Sequence, residues 1–90
     1  GADCGEESVV TISIAVPGVI TWVGHGLEDD TPISFTTTGA LPTGLTAGTI
    51  YYVVAAATDT FSVAATPGGT AITTTGTQSG VHTAFAEAIG

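Results

Sequence analysis

Short runs of alternating apolar and polar residues, many of them ended by Gly or Pro, recur along this chain from residue 8 onward. In the run 8–16, valine or isoleucine falls on every second position, from Val10 to Val16, and this is the period of a β-strand. No stretch shows the helical period of about 3.6 residues, and the many β-branched threonines disfavour a helix. The pattern therefore predicts an all-β protein.

About seven short strands are predicted, at the spacing of about 8–12 residues that is typical of a small sandwich or barrel. Their expected bounds are 8–16, 19–24, 32–38, 49–56, 60–65, 70–75 and 81–87. The fourth run, TIYYVVAA, is rich in aromatic and β-branched residues, and Thr58-Asp59 forms a tight turn into the fifth. We expect a small antiparallel β-sandwich or barrel in which these two strands form a hairpin.

The length of 90 residues allows one domain. Residues 1–7 hold three acids, two glycines and Cys4 without periodicity, and we interpret them as a flexible N-terminal arm. Residues 8–90 then form the single β domain. A chain of this size buries only about 60–65% of its unfolded surface, so very regular strands or a partner surface should complete the core.

The charge is one-sided: eight acidic residues stand against no lysine or arginine, giving a formal net charge of −8. Without cationic side chains the chain has no usual means of neutralising nucleic-acid phosphates. The same argument applies to an anionic membrane surface. We therefore expect neither nucleic acid nor a membrane as partner, and we expect cations or a basic protein surface to balance the acids in an assembly.

Few residues could carry chemistry. A Cys4–histidine pair would place the nucleophile on the predicted arm, so we expect no enzyme activity, no catalytic residue and no cofactor. His25 lies between two glycines and is interpreted as a turn residue rather than a ligand. Glu28, Asp29 and Asp30 are weak metal candidates, since calcium prefers oxygen ligands, but the D-x-D-x-D-G pattern is missing and a solvated turn is the alternative.

Four residues are candidates for an interface: Cys4, Trp22, Tyr51 and His82. Cys4 is the single cysteine, so it is either an unpaired thiol or half of an intermolecular disulfide. Trp22, Tyr51 or Tyr52 could stack on a carbohydrate, but a core position is the alternative for Trp22 and for one of the two tyrosines. His82 alternates with the apolar residues of the last strand, which predicts a place at the surface or in an interface.

An ordered series of short motifs between Trp22 and Thr83 resembles a β-rich module of bacteriophage virion proteins. The matching segments are HGL at 25–27, PISF at 32–35, LPTGL at 41–45, GTIYYVV at 48–54, FSV at 61–63 and PGGT at 67–70. The resemblance covers about two thirds of the chain. It implies a structural component without catalytic residues and does not identify a position in the particle.

The leading hypothesis is a structural protein of the virion surface, either a capsid decoration (cement) protein or a tail-appendage module. Its expected partners are copies of itself, with a trimer as the expected symmetric form, and a major virion protein. One alternative is a host-receptor or glycan-binding module of a tail fibre, with loops 39–48 and 76–80 as the recognition surface. Another is an adhesin domain of a bacterial surface.

Overall fold

Six antiparallel strands close into a barrel in the computed structural model, which describes residues 6–86 and, for Glu6, the backbone alone. The strands are β1 Glu6–Ile12, β2 Ile20–Thr21, β3 Pro32–Thr37, β4 Tyr51–Val54, β5 Thr60–Ala64 and β6 His82–Ala86. Residues 6–86 contain no helix, so the predicted all-β class is confirmed. Within this range there is consequently no helix of the length and apolarity that would span a membrane.

The strands follow one another around the barrel in the order β1-β2-β5-β4-β3-β6, and β6 pairs with β1 to close it. The longest ladders join β6 to its two neighbours, with five paired positions to β1 and five to β3. The predicted hairpin is confirmed, because β4 pairs with β5 from Tyr52↔Ala64 to Val54↔Ser62. Because the six described strands close on one another, their sheet has no end strand on which another strand could add.

The inward residues of the six strands form one apolar core. Phe35, Ile33 and Val53 have no exposed surface, and Phe61 is 1% exposed. The rings of Phe35 and Tyr51 lie 6.2 Å apart in a tilted arrangement. Every buried side-chain nitrogen or oxygen atom among the described residues has a hydrogen-bond partner. Apolar burial and hydrogen bonds of the buried polar atoms therefore stabilise the fold of a chain that has no lysine or arginine to form salt bridges.

The first strand lies earlier in the chain than predicted. It begins at Glu6, so Glu6 and Glu7 pair with β6 instead of belonging to the N-terminal arm. It ends at Ile12, because the Ser13 N–H donates to the Val19 carbonyl at 2.8 Å and the chain turns there. Val16, expected on the apolar face of this strand, is consequently 83% exposed.

The predicted strand at 70–75 is absent, and this segment crosses one end of the barrel as an irregular strap. The Ile72 N–H donates to the Val63 carbonyl, and the Thr74 N–H donates to the Ala15 carbonyl. Thr75 forms an isolated bridge with Thr43. Because three different segments receive its backbone bonds, the strap contributes to no continuous ladder.

The last strand faces the opposite way from its apolar pattern. Ala84 and Ala86 are buried together with His82, whereas Val81 is 52% and Phe85 is 36% exposed. The interior of a small barrel is filled by side chains, and small and large residues often alternate there because the interior volume is limited. The two alanines leave room for the large rings of the core, and the valine and phenylalanine lie outside.

Candidate functional site

Three of the large apolar side chains that are exposed among residues 6–86, Val9, Val81 and Phe85, lie on the outer side of β1 and of β6 with the residue before it. We call this outer side the β1–β6 face, formed by Glu7, Val9, Thr11, Val81, Thr83 and Phe85. Val9 is 64% exposed and pairs with Thr83, and Phe85 pairs with Glu7. Alternation along each strand explains the arrangement, because the intervening residues Val10, His82 and Ala84 point into the barrel.

A groove of about 340 Å³ opens in this face where β1 and the chain before β6 separate. The last pair of their ladder is Val10↔His82. Beyond it, Thr11 and Ile12 pair with β2, while Ser79 bridges Ala40 on the other side. The groove is lined by residues 9–12 and 78–82, and most of its lining is apolar.

The Gln78 side chain, which lines this groove, spans the separation between the two chain segments. Its amide nitrogen donates to the Ile12 carbonyl at 2.6 Å, and its amide oxygen lies 2.8 Å from Nε2 of His82. Because this oxygen can only accept, Nε2 of His82 carries a proton. A side-chain hydrogen bond of Gln78 thus replaces the backbone pairing between β1 and the chain before β6 that stops at Val10↔His82.

His82 lies inside the barrel wall and is 5% exposed, so it is not a surface residue of the chain. Its Nδ1 is 2.9 Å from Oγ1 of Thr37 and accepts the hydroxyl proton when the ring is neutral. Burial lowers the pKa of His82 below its ordinary value of 6.5, because the charged imidazolium loses hydration there. The ring is a structural link between β6, β3 and Gln78.

Trp22 and Tyr51 are also in the interior, so neither offers a ring for stacking on a sugar or packing on a neighbour. Trp22 is 9% and Tyr51 is 5% exposed, and both belong to the core cluster. The Tyr51 hydroxyl accepts a hydrogen bond from the Thr46 N–H at 2.7 Å. This bond explains why a polar ring tip is accommodated there. Cys4, the fourth interface candidate, lies outside the described residues.

The buried side chain of His25 links its own loop to the start of β5. Its Nδ1 accepts from the Leu27 N–H at 2.8 Å, so Nε2 holds the proton and donates to the Thr60 carbonyl at 3.1 Å. The ring stands edge-on to Phe61, with centroids 5.2 Å apart. Gly24 and Gly26 adopt positive φ on either side, so the glycines supply the unusual turn geometry and the histidine supplies the contacts.

The acids of the 22–31 and 55–60 loops hold the loops in place. We call these loops the acidic loop pair. Asp59 accepts from the Gly24 N–H at 2.9 Å, and Asp29 accepts from the Ala56 N–H at 3.0 Å. Asp30 accepts from the Gly68 N–H at 2.8 Å and has a φ of 72°, which Asp tolerates better than most residues.

The carboxylates of Asp29 and Asp30, two of the weak metal candidates, therefore do not converge on one point. Each of Asp29 and Asp30 directs a carboxylate oxygen at a backbone N–H of a different segment. Among residues 6–86 no group of three or more histidine, cysteine or acidic side chains is arranged to hold a metal ion. The hydrogen bonds of Asp29 and Asp30 therefore hold this loop against two other segments of the chain.

No protein-family model, curated protein or solved structure matches this chain. The resemblance to phage modules therefore remains a prediction from the motif series.

Sequence reasoning missed the β1–β6 face and its groove. Val9 and Phe85 both lie in runs that follow the strand pattern. In the last run the pattern does not show which side faces inward, because one side carries His82, Ala84 and Ala86 and the other carries Val81, Thr83 and Phe85. Hydrophobicity favoured burying the second set. The signal that could have indicated the reverse is the pair of alanines, which suit a narrow barrel interior. Gln78 lies in a loop and carries no periodic signal at all.

Proposed function

We propose that this chain is a non-enzymatic structural component of a phage particle surface that acts by packing against other proteins. The proposal covers a capsid decoration protein and a tail-appendage module. The observation that carries it is the β1–β6 face, where Val9, Val81 and Phe85 expose apolar surface on neighbouring strands of a closed barrel. Contiguous exposed apolar surface of this kind is typical of protein–protein contact sites.

The distribution of polar groups supports the same function. His82 bonds to both Gln78 and Thr37, and the carboxylates of Asp29, Asp30 and Asp59 accept hydrogen bonds from backbone N–H groups. These side chains are used to hold the fold. Catalysis needs a general base or nucleophile aimed at a substrate position, and here the two histidines are directed at backbone and side-chain partners of the barrel itself.

The test is immunogold electron microscopy of particles released from host cells that carry the gene, using an antibody against the purified chain. We expect gold on the surface of intact particles, and antibody pre-adsorbed with the purified chain serves as the control. Recovery of the chain in the soluble fraction, with intact particles unlabelled, would contradict the proposal.

A glycan-binding module is the second candidate, and one observation favours it. The two loops suggested for recognition, 39–48 and 76–80, are joined to each other by the bridge Ala40↔Ser79. They also approach closely at Gly80, where an added Cβ would lie 2.4 Å from the Gly39 nitrogen. A glycan array would distinguish the candidates: a specific sugar bound by the wild-type chain, and lost in Thr77→Ala but not in Thr11→Ala, supports this function.

A further inference from the structure

We propose that the Thr37 hydroxyl is a two-position proton switch between β3 and the chain before β6. It donates to His82 while the ring is neutral, and it turns to the Ser79 carbonyl when the ring takes up a proton. The end of β3 therefore has two hydrogen-bonded arrangements, and both of them keep the buried ring bonded at each nitrogen.

The direction of each bond to the neutral ring is fixed from Ile12 onward. The Ile12 carbonyl can only accept, so the Gln78 amide directs its nitrogen at Ile12 and its oxygen at His82. This oxygen can also only accept, so Nε2 carries the proton of the neutral ring. Nδ1 is then an acceptor, and the Thr37 hydroxyl donates to it at 2.9 Å. Thr37 has one hydroxyl proton, and the neutral ring uses it.

The Ser79 carbonyl offers the second position for that proton. Its oxygen is 3.4 Å from Oγ1 of Thr37, which is long for a bond between a hydroxyl and a carbonyl. The Ala40 N–H donates to the same carbonyl at 3.0 Å and leaves one of its two lone pairs for Thr37. Thr37 therefore lies between two acceptors and has one proton for both.

Protonation of His82 must reverse its bond to Thr37, because both nitrogens of an imidazolium donate. The Gly39 N–H donates to Oγ1 of Thr37 at 3.1 Å, so one lone pair of this oxygen remains to accept from Nδ1. The hydroxyl proton is then released to the Ser79 carbonyl, and we expect the 3.4 Å separation to shorten to about 2.8 Å. Nε2 keeps its bond to Gln78 throughout.

The other histidine of the chain, His25, has no such second arrangement. Its Nδ1 accepts from the Leu27 N–H at 2.8 Å, and an N–H group cannot become an acceptor. A proton on this nitrogen would therefore break the bond to Leu27. The hydroxyl partner is what makes the corresponding bond of His82 reversible.

The segments that carry the His82 bond network hold no other titratable side chain. They are residues 9–12, 36–40 and 78–81. Elsewhere on β1, Glu7 lies on the outer side of the barrel, and the other four acids whose side chains are described lie in the acidic loop pair. Of the buried titratable groups, His25 and Tyr51 are bonded to backbone atoms of other segments. A proton taken up by this network is therefore carried by His82.

The switch acts on the wall of the groove, since Ser79 and His82 both line it. A shorter bond draws Ser79 toward Thr37 of β3, and β3 and β1 flank β6 on opposite sides. The groove lies on the β1 side of this segment, so proton binding should widen it. Burial lowers the pKa of His82 from 6.5, and the wider form therefore belongs to acidic conditions.

Nuclear magnetic resonance of the full chain, labelled with ¹³C and ¹⁵N, tests the proposal from about pH 7.5 to about pH 4.5. We expect the Nε2–H form of His82 at the upper limit and protonation of Nδ1 as the pH falls, while the backbone spectrum remains that of a folded chain. The carbonyl carbon of Ser79 should shift with the same midpoint as the His82 ring, because this carbonyl gains a second hydrogen bond.

Variants of β3 locate the switch. Thr37→Val removes the oxygen that accepts from the protonated ring, so it should weaken proton binding to His82 by about tenfold and abolish the Ser79 response. Thr37→Ser keeps a hydroxyl and should behave as the wild type does. Thr36→Val changes the exposed neighbour on the same strand and is the matched control. If Thr37→Val is unfolded, the Ser79 response of the wild type and of Thr37→Ser carries the test.

Four results would overturn the proposal. They are the Nδ1–H form of His82 at about pH 7.5, no protonation of His82 in the folded chain down to about pH 4.5, a Ser79 carbonyl that does not follow the His82 titration, and equal midpoints in folded Thr37→Val and Thr36→Val. Each of them can occur whether or not the antibody labels intact particles, so the switch and the proposed function are tested separately.

Discussion

The acidic loop pair and the β1–β6 face both belong to the surface of the barrel, but their side chains are used in opposite ways. In the loop pair, Asp59 and His25 bond to backbone atoms of the facing loop, so polar groups hold the structure. On the β1–β6 face, Val9 and Phe85 are exposed and add little to the core beneath them. The comparison indicates that the side chains of the loops maintain the fold, whereas those of the face remain exposed.

The largest effect should come from the ring beneath the loop pair. Phe61→Ala removes a side chain that is 1% exposed and that supports the edge of the His25 ring, and we expect it to cost about 3–5 kcal/mol of unfolding free energy. Phe85→Ala on the β1–β6 face should cost about 1.5 kcal/mol or less. Urea unfolding measures both, and equal losses would remove the distinction between the two regions.

Removal of the polar link in the groove should have an intermediate effect. Gln78→Ala deletes the donor to the Ile12 carbonyl and the acceptor for the buried His82 ring. We expect a loss of about 1–3 kcal/mol, because a buried ring nitrogen is left without a partner. Thr77→Ala, next to it in the same loop, is the control and should change the unfolding free energy by about 0.5 kcal/mol or less. Indistinguishable curves for the two variants would show that Gln78 does not bridge the strands.

Loss of one loop carboxylate should have a smaller effect. Asp59→Ala removes the acceptor for the Gly24 N–H, an exposed hydrogen bond, and should lower the unfolding free energy by about 1 kcal/mol. Glu28→Ala removes a charge from the same loop pair and keeps the backbone carbonyl that Thr31 uses, so it serves as the control. Greater stability in Asp59→Ala than in the wild type would mean that charge repulsion outweighs this bond.

The smallest effect should be a dependence of stability on pH that comes from His82. Because burial lowers its pKa in the folded chain, the unfolded chain binds more protons as the pH falls below 6.5. Stability should therefore decrease as the pH falls from about 7.5 to about 5.5, a range above the ordinary pKa values of carboxylates. His82→Gln should flatten this slope in urea unfolding measured across the range. A slope unchanged by the substitution would exclude His82 as its source.

Much of the fold was predictable because alternation and turn chemistry act locally. The hairpin of β4 and β5 shows both signals, since YYVV and TFSVA follow the strand pattern and Thr58-Asp59 lies in the turn between them. The strap at 70–75 has the same alternation, but its bonds go to residues near 15, 43 and 63. Local pattern contains no information about such distant partners.

The candidate site was less predictable for a related reason. Whether Phe85 or Ala84 points inward depends on the volume left inside the closed barrel, and that volume is set by Phe35 and Phe61 from other strands. The hydrogen bonds of Asp29, Asp30 and Asp59 likewise depend on which loops meet. Residue type indicated that Glu28, Asp29 and Asp30 could bind a cation, and the fold directs oxygens of Asp29 and Asp30 to backbone N–H groups.

The orientation of β6 decides whether the apolar β1–β6 face exists, and adjacent substitutions measure it directly. Ala84 has no exposed surface, so Ala84→Asp should place a charge in the core and lower the unfolding free energy in urea by at least about 3 kcal/mol. Thr83→Asp, on the outer side, should lower it by less than about 1 kcal/mol. If Thr83→Asp unfolds the chain and Ala84→Asp leaves it stable, the inner and outer sides of β6 are exchanged and the account of this face is wrong.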